Sequence, residues 1–196
     1  MERAATLTPH FSTHQITLTG TMDIMFDRYS GDNATELRTE KKLYLTEKNE
    51  IYLPSLNIIS LLTAQNTESA PKRFLDPRKY KKVASAILSY VSISPSEILF
   101  LRDDKPIILG SFNEDGRDKL SGCYVHHSTA RLPKGIPNPK ARPVLPIPWQ
   151  LKFELTHYEN NEVQEETVQT LLIKSGVAIG LGTFRGVFGK YWMLWE

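Results

Sequence analysis

Hydrophobic and polar positions change period several times along the chain. In HQITLTGT, from His14 to Thr21, Ile16 and Leu18 alternate with polar neighbours, the two-residue period of a half-buried strand ending at Gly20. MDIMFDRYSGDNATELRTEKK then turns polar around Gly31, Asp32 and Asn33 and is expected to leave the sheet as an exposed excursion. KLYL and EIYL flank TEKN and predict a hairpin turning at Glu47 to Asn49. Behind Pro54 and Ser55, Leu56, Ile59 and Leu62 keep near-helical spacing and predict a helix over LNIISLLTAQ. A second helix is expected over PKRFLDPRKYKKVASAILSYVSI, with Tyr80, Val83, Ala84, Ile87 and Tyr90 on one face and Pro77 near a first turn. EILFLRDDKPIILGSF predicts a hairpin around Asp103 and Asp104.

GCYVHHSTARL and WQLKFELTHY predict two long strands. PKGIPNPKARPVLPIP between them carries prolines at 133, 137, 139, 143, 146 and 148 and is expected to lie outside regular structure. EVQEETVQTLLIKSG predicts a helix with a Glu-rich start, Lys174 in the last turn and Gly176 as C-cap. VAIGLG and KYWMLW predict the last two strands. Strict strand–helix alternation is missing, which excludes a doubly wound parallel sheet and predicts an α+β fold.

Length and composition narrow the class. A chain of 196 residues suits a single domain over 1–196, with 132–148 as a proline-rich arm or thumb-like insertion. With 40% hydrophobic and 23% charged residues, the profile is globular rather than disordered. The lone Cys123 excludes an internal disulfide, and no apolar run reaches the roughly 18 residues of a membrane span. The opening MERAATLTPHFSTHQ lacks the apolar centre of a secretory signal, so a reducing, cytoplasmic setting is expected.

The closing GLGTFRGVFGKYWMLWE threads glycines at 180, 182, 186 and 189 around Arg185 and Lys190. A Walker loop would need glycine where Phe184 stands and Ser or Thr where Tyr191 stands. A dinucleotide fingerprint fails too, because Gly180, Gly182 and Gly186 have one residue too many and no helix follows them. Two readings stay open. One is a phosphate-contacting loop using Gly182, Arg185 and Lys190; the other is a bulged hairpin whose glycines serve the turn.

A helix, the glycine-rich GVAIGLGTFRGVFGK and a terminal strand together resemble the glycine-rich loop of the RAMP superfamily of CRISPR-associated proteins. ITLTGTMDIMFDR is similar to the opening strand of its guide-RNA-binding backbone-subunit type. LYLTEKNEIYLPSLNIISLL resembles the aromatic hairpin that leads through "LP" into the first helix. The likeness covers the two ends of the chain. It implies a ferredoxin-like, RNA-recognition-type antiparallel sheet with two or three helices and an inserted proline-rich hairpin arm. It further implies that Arg28 and Arg185 sit near RNA phosphate. At 196 residues the chain is shorter than many full backbone subunits, so their usual large insertions are not expected.

Between 72 and 82, Lys72, Arg73, Arg78, Lys79, Lys81 and Lys82 face the single acid Asp76, and Phe74 and Tyr80 interleave with them. Cations mixed with aromatics suit single-stranded nucleic acid, while a solvated helix face with inward aromatics is the plain alternative. Arg131, Lys134, Lys140, Arg142 and Lys152 form a second group with no acid between its ends, on the proline-rich arm. His126 and His127 are candidate acid–base groups for RNA cleavage, because histidine titrates near neutrality. Adjacent strand residues face opposite ways, so only one can join Cys123, and no zinc spacing exists. Asp23, Asp27 and Asp32 could hold magnesium or simply serve the turn. Glu159, Glu162, Glu165 and Glu166 make an acidic face.

The expectation is a protein that coats single-stranded RNA through phosphate contacts and carries no cofactor, metal or enzymatic activity. It would work with copies of itself or other ribonucleoprotein subunits, away from membranes. Two alternatives stay open: a guide-RNA-processing endoribonuclease using His126, His127 or Asp27, and an interaction or inhibitor protein that imitates a subunit.

Overall fold

The computed structural model describes residues 10–29, 31, 37–65, 68–131 and 137–196. The sequence readings made for residues 1–9, Asp32 and Lys134 lie outside them.

Among the described residues, β1 (Phe11–Gly20) and β2 (Ile24–Met25) come first, then a 3-10 turn (Thr39–Lys42), β3 (Tyr52–Pro54) and α1 (Ser55–Thr63). Two further helices, α2 (Ala70–Phe74) and α3 (Tyr80–Tyr90), lead into β4 (Val91–Ser94), β5 (Glu97–Arg102) and β6 (Lys105–Pro106). The chain continues with β7 (Tyr124–Arg131), β8 (Pro137–Leu145) and β9 (Gln150–Tyr158), and ends with α4 (Glu165–Ala178) and β10 (Tyr191–Trp195).

This is an α+β protein built on antiparallel sheets. The larger, seven-stranded sheet runs β10-β1-β9-β5-β3, with β4 pairing β9 and β6 pairing β5. Its register sets Thr19 between Trp192 and Gln150, and Thr17 between Leu194 and Lys152. The two-residue period then sorts the faces. Ile16, Leu18, Phe100, Leu151, Phe153, Leu155 and Tyr191 point inward, against Ile58, Leu61, Leu62, Ile87, Val168, Leu171 and Leu172 of the helices. Each such side chain contributes roughly 1.5–3 kcal/mol by leaving water. The other face is a polar field of threonines and glutamines, with Trp192 72% exposed and Leu194 54% exposed on the outermost strand. A smaller sheet, β2-β8-β7, stands beside it.

Several elements depart from the expectations. Residues 22–42 are not all an exposed excursion: Ile24, Met25 and Phe26 are buried, and β2 pairs β8 in the smaller sheet through Ile24↔Leu145 and Met25↔Val144. Three consecutive apolar side chains outweigh the polar stretch behind them. In α1 the buried positions are Ile58, Leu61 and Leu62, while Leu56 is exposed. The basic helix expected from Pro71 onward divides at Leu75–Lys79, where Arg78 N–H donates to the Asp76 carboxylate at 2.8 Å and Pro77 supplies no backbone donor. Its last residues form β4 instead. Four helices result among the described residues, where two or three were expected.

The proline-rich stretch is largely regular, against expectation. Residues 137–145 form β8, in register with β7 from Arg131↔Pro137 to Tyr124↔Val144. Pro137, Pro139 and Pro143 share one strand parity, and the carbonyl of Pro143 accepts from Phe26 N–H on the side away from β7. The missing proline N–H groups therefore lie on that side too, where β2 reaches only the last two residues of β8, and the ladder to β7 loses nothing.

Gly176 is not a C-cap. It lies inside α4, which runs on to Ala178, so Lys174 is not in the last turn. A Cβ at Gly176 would collide with the Tyr191 carbonyl oxygen, so glycine here permits α4 to lie directly on β10. VAIGLG does not form a strand; residues 177–178 are helical and the rest enters a loop.

Candidate nucleic-acid interface

The glycine loop between α4 and β10 is a packed, internally bonded structure. Leu181 N–H donates to Gly189 O at 2.9 Å, Gly189 N–H to Asp23 O at 2.7 Å and Thr183 N–H to Met25 O at 2.9 Å. Gly180 N–H reaches Ser175 O, Gly186 N–H reaches Ile179 O, and Gly182 N–H reaches Asn57 Oδ1 at 3.3 Å. These amides are directed inward, and a phosphate cradle would need them free. Gly189 has φ +70, and a Cβ there would strike the Leu181 carbonyl oxygen. The glycines thus serve close backbone approach. At the tip, Phe184 and Val187 are exposed, and Phe184 itself has φ 58.

Arg185 turns back from the tip: its Nη1 donates to the carbonyl oxygen of Glu68 at 2.9 Å. Burial pulls its pKa down from the ordinary value. Lys190, half-buried, accepts Thr21 N–H at 2.9 Å through its carbonyl.

Lys72, Arg73, Arg78, Lys79, Lys81 and Lys82 are all exposed on α2, α3 and their joint. Arg73 Nη1 donates to Glu68 Oε1 at 2.7 Å and Arg78 Nη2 to Asp76 Oδ2 at 3.0 Å. For Lys72, Lys81 and Lys82 no ion pair or hydrogen bond is seen among the described residues. The aromatics between the cations are drawn inward: Phe74 and Tyr80 are half-buried, and Phe74 packs on the core beneath Lys174 Nζ, 5.9 Å from its ring.

On the hairpin, β7 turns His126 and His127 to opposite faces. The His126 ring meets Phe188 edge-on at 5.7 Å between centroids, while His127 is exposed and lines a separate cavity. The two histidines cannot serve one reacting phosphate as an acid–base pair. Arg142, opposite His126 in register, is occupied by Asp27: Nε donates to Oδ2 at 2.7 Å, and Nη1 donates to Ser128 Oγ at 3.1 Å. Lys140 faces Ser128 in register, and Arg131 closes β7 opposite Pro137. Lys152 stands apart on β9, its Nζ 2.6 Å from Asp104 Oδ1.

The aspartates after β1 are tie points. Asp23 accepts the Tyr124 hydroxyl at 2.9 Å and Ile147 N–H at 3.1 Å, and burial followed by this contact pushes the Tyr124 hydroxyl pKa up to about 12. Asp27 lies between Arg142 and the buried Lys42, whose Nζ is 4.0 Å from Oδ1 and donates to Ala141 O at 2.8 Å. No group of three or more His, Cys, Asp or Glu among the described residues could hold a metal ion. Cys123 is buried, and burial pushes its thiol up to about 11. Arg28 is exposed with its guanidinium 5.5 Å from the Tyr44 ring centroid.

The tertiary structure brings several candidates into one band. His126 touches the glycine loop through Phe188, the loop touches Glu68 through Arg185, and Glu68 binds Arg73 at the head of the basic helices. Arg28, over the Tyr44 ring, and Lys152, paired with Asp104, make their described contacts outside that band. Sequence reasoning missed Arg38 and Lys42, which line a cavity against β7 and β8. Their only sequence signal was the basic spacing within RTEKK. Trp192 was missed as well, although strict alternation in KYWMLW opposes it to Tyr191.

Comparison with known proteins adds no relative: no family model and no curated protein matches this chain. No described helix is long and apolar enough to cross a membrane.

Proposed function

We propose that this chain is a single-stranded RNA-binding protein with a ferredoxin-like core, of the backbone-subunit kind within the RAMP superfamily. The observation that carries the reading is the exposed cationic surface of α2 and α3, where lysines without described partners outnumber paired arginines. Their charge is available to phosphate, and each neutralised phosphate would release counterion.

The strand order supports the core. Taken as β1, β4 with β5, β9 and β10, with α1 to α3 after the first and α4 after the third, the elements follow the β-α-β-β-α-β arrangement. The β7–β8 hairpin is then an insertion between the second and third strands, where the arm was expected. Assembly with copies of itself or other subunits belongs to the same proposal, and the exposed Trp192 and Leu194 on the outer strand β10 are its support.

The deciding experiment measures binding of the purified chain to a single-stranded RNA at several salt concentrations. A steep fall of affinity with salt is expected. Absent or salt-insensitive binding would overturn the reading. RNA cutting without metal would favour the nuclease alternative instead.

A further inference from the structure

We infer that the exposed Phe184 ring at the tip of the glycine loop is a stacking platform for an unpaired nucleobase. The backbone on both sides of it is fixed. Thr183 N–H is tied to Met25 O at 2.9 Å, while on the other side the Arg185 side chain is tied to the Glu68 carbonyl and Gly186 N–H to Ile179 O. Phe184 therefore projects from a loop anchored on three separate parts of the chain. Its φ of 58 is a conformation that bulky side chains rarely adopt, and the residue is nevertheless 58% exposed. Packing gains little from such a turn; what the turn achieves is presentation of the ring.

Further rings continue behind it in a row. Phe184 meets Phe188 at 6.3 Å between centroids and 67°, and Phe188 meets His126 of β7 at 5.7 Å and 67°. A T-shaped contact uses at most one face of a ring, which leaves the other face of Phe184 open. A nucleobase needs one such face, whereas a protein partner of ordinary size covers about 800 Å² on each side. Phe184 and Val187, the large exposed apolar residues of this tip, cannot fill that area. The surrounding charge favours the same ligand. Arg185 joins the tip to Glu68, and Glu68 joins Arg73 at the head of α2, where Lys72 is exposed with no partner among the described residues. Both arginines are spent on those bonds, so phosphate contacts fall to Lys72, Lys81 and Lys82, and the base contact falls to the ring. Bases within a duplex already stack on one another, so the platform selects single strands. Every base has a π face, so no sequence is read. That the base belongs to an RNA rests on the RNA-binding reading above.

The test titrates the full chain with one single-stranded RNA and with an abasic strand of the same length and phosphate number. The bases should tighten binding about tenfold. Phe184→Asn, which tolerates positive φ but offers no ring, should abolish that gain and leave the abasic strand's affinity and the salt slope of RNA binding unchanged. Phe184→Tyr should keep the gain. Lys79→Ala with Lys82→Ala should weaken both strands alike and also keep it. Equal affinity of the parent chain for the two strands, or a gain that survives in Phe184→Asn, would overturn the stacking site while the RNA-binding reading stood. An equal loss for both strands in Phe184→Asn would overturn it too, because the loop would then be contacting the sugar–phosphate backbone. Binding of neither strand would overturn the RNA-binding reading and the stacking site with it.

Discussion

Arg185 donates through Nη1 to the carbonyl oxygen of Glu68 at 2.9 Å, so the cation of the glycine loop is bound to the segment that opens the basic helices. Arg185→Ala should therefore loosen the loop and lower stability by about 0.5–1.5 kcal/mol, seen as a shifted urea midpoint. Its effect on RNA affinity should be smaller than that of changes on α3. A large affinity loss at unchanged stability would instead assign Arg185 to phosphate.

Lys82, like Lys72 and Lys81, has no partner among the described residues, and the charge of Lys79 acts on Asp76. Replacing Lys79 and Lys82 by alanine should weaken single-stranded RNA binding at low salt. The slope of log affinity against log salt should also shrink by about 0.7 for each contact removed. Unchanged slope in the double variant would place the RNA elsewhere.

Gly176 separates two opposed expectations. On helix propensity alone, Gly→Ala inside a helix stabilises by about 0.8–1 kcal/mol. Here the added Cβ would meet the Tyr191 carbonyl and ring, so Gly176→Ala should destabilise by about 1–3 kcal/mol. Thermal unfolding gives the sign directly.

Asp118 organises the loop between β6 and β7. Burial opposes its charge, yet hydrogen bonds from Ser121 and from the amides of Gly110, Ser121 and Leu120 prevail and hold the carboxyl below its ordinary 3.8. A depressed folded value means that this contribution is complete above 3.8 and disappears as pH falls through the folded value. Asp118→Asn should cost about 1.5–3 kcal/mol near neutral pH. The gap from the parent protein should narrow in acid, which denaturant titrations at two pH values would reveal.

Cys123, buried with its thiol pushed up to about 11, should resist alkylation in the folded chain at neutral pH. Denaturant should make it react fully. Rapid modification under native conditions would mean that the start of β7 opens readily.

Elements whose signal is local were legible in the sequence. β1 and β9 show period-two burial, and the β5–β6 turn carries Asp103 and Asp104 at φ 50 and 59, as turn chemistry requires. β8 was hidden because proline counts against a strand until the neighbour on each side is known; its prolines are tolerated on the side facing away from β7. The basic surface of α2 and α3 was readable from composition, since exposed cations need no partner. The cavity with Arg38 and Lys42 was not, because 3-10 turn and hairpin are about 100 residues apart, as in the Lys42–Ala141 contact with a separation of 99.

The sequence by itself determined the α+β class, most strand and helix positions, and the presence of a cationic stretch, because these follow from short-range periodicity and local charge. Only the tertiary structure decided which charges are free to meet a ligand. Asp27 is consumed by Arg142 and Lys42, Arg185 by Glu68, and the loop amides by neighbouring carbonyls. A charged or hydrogen-bonding group acts through the neighbours within a few ångströms of it, and folding selects those neighbours from distant parts of the chain.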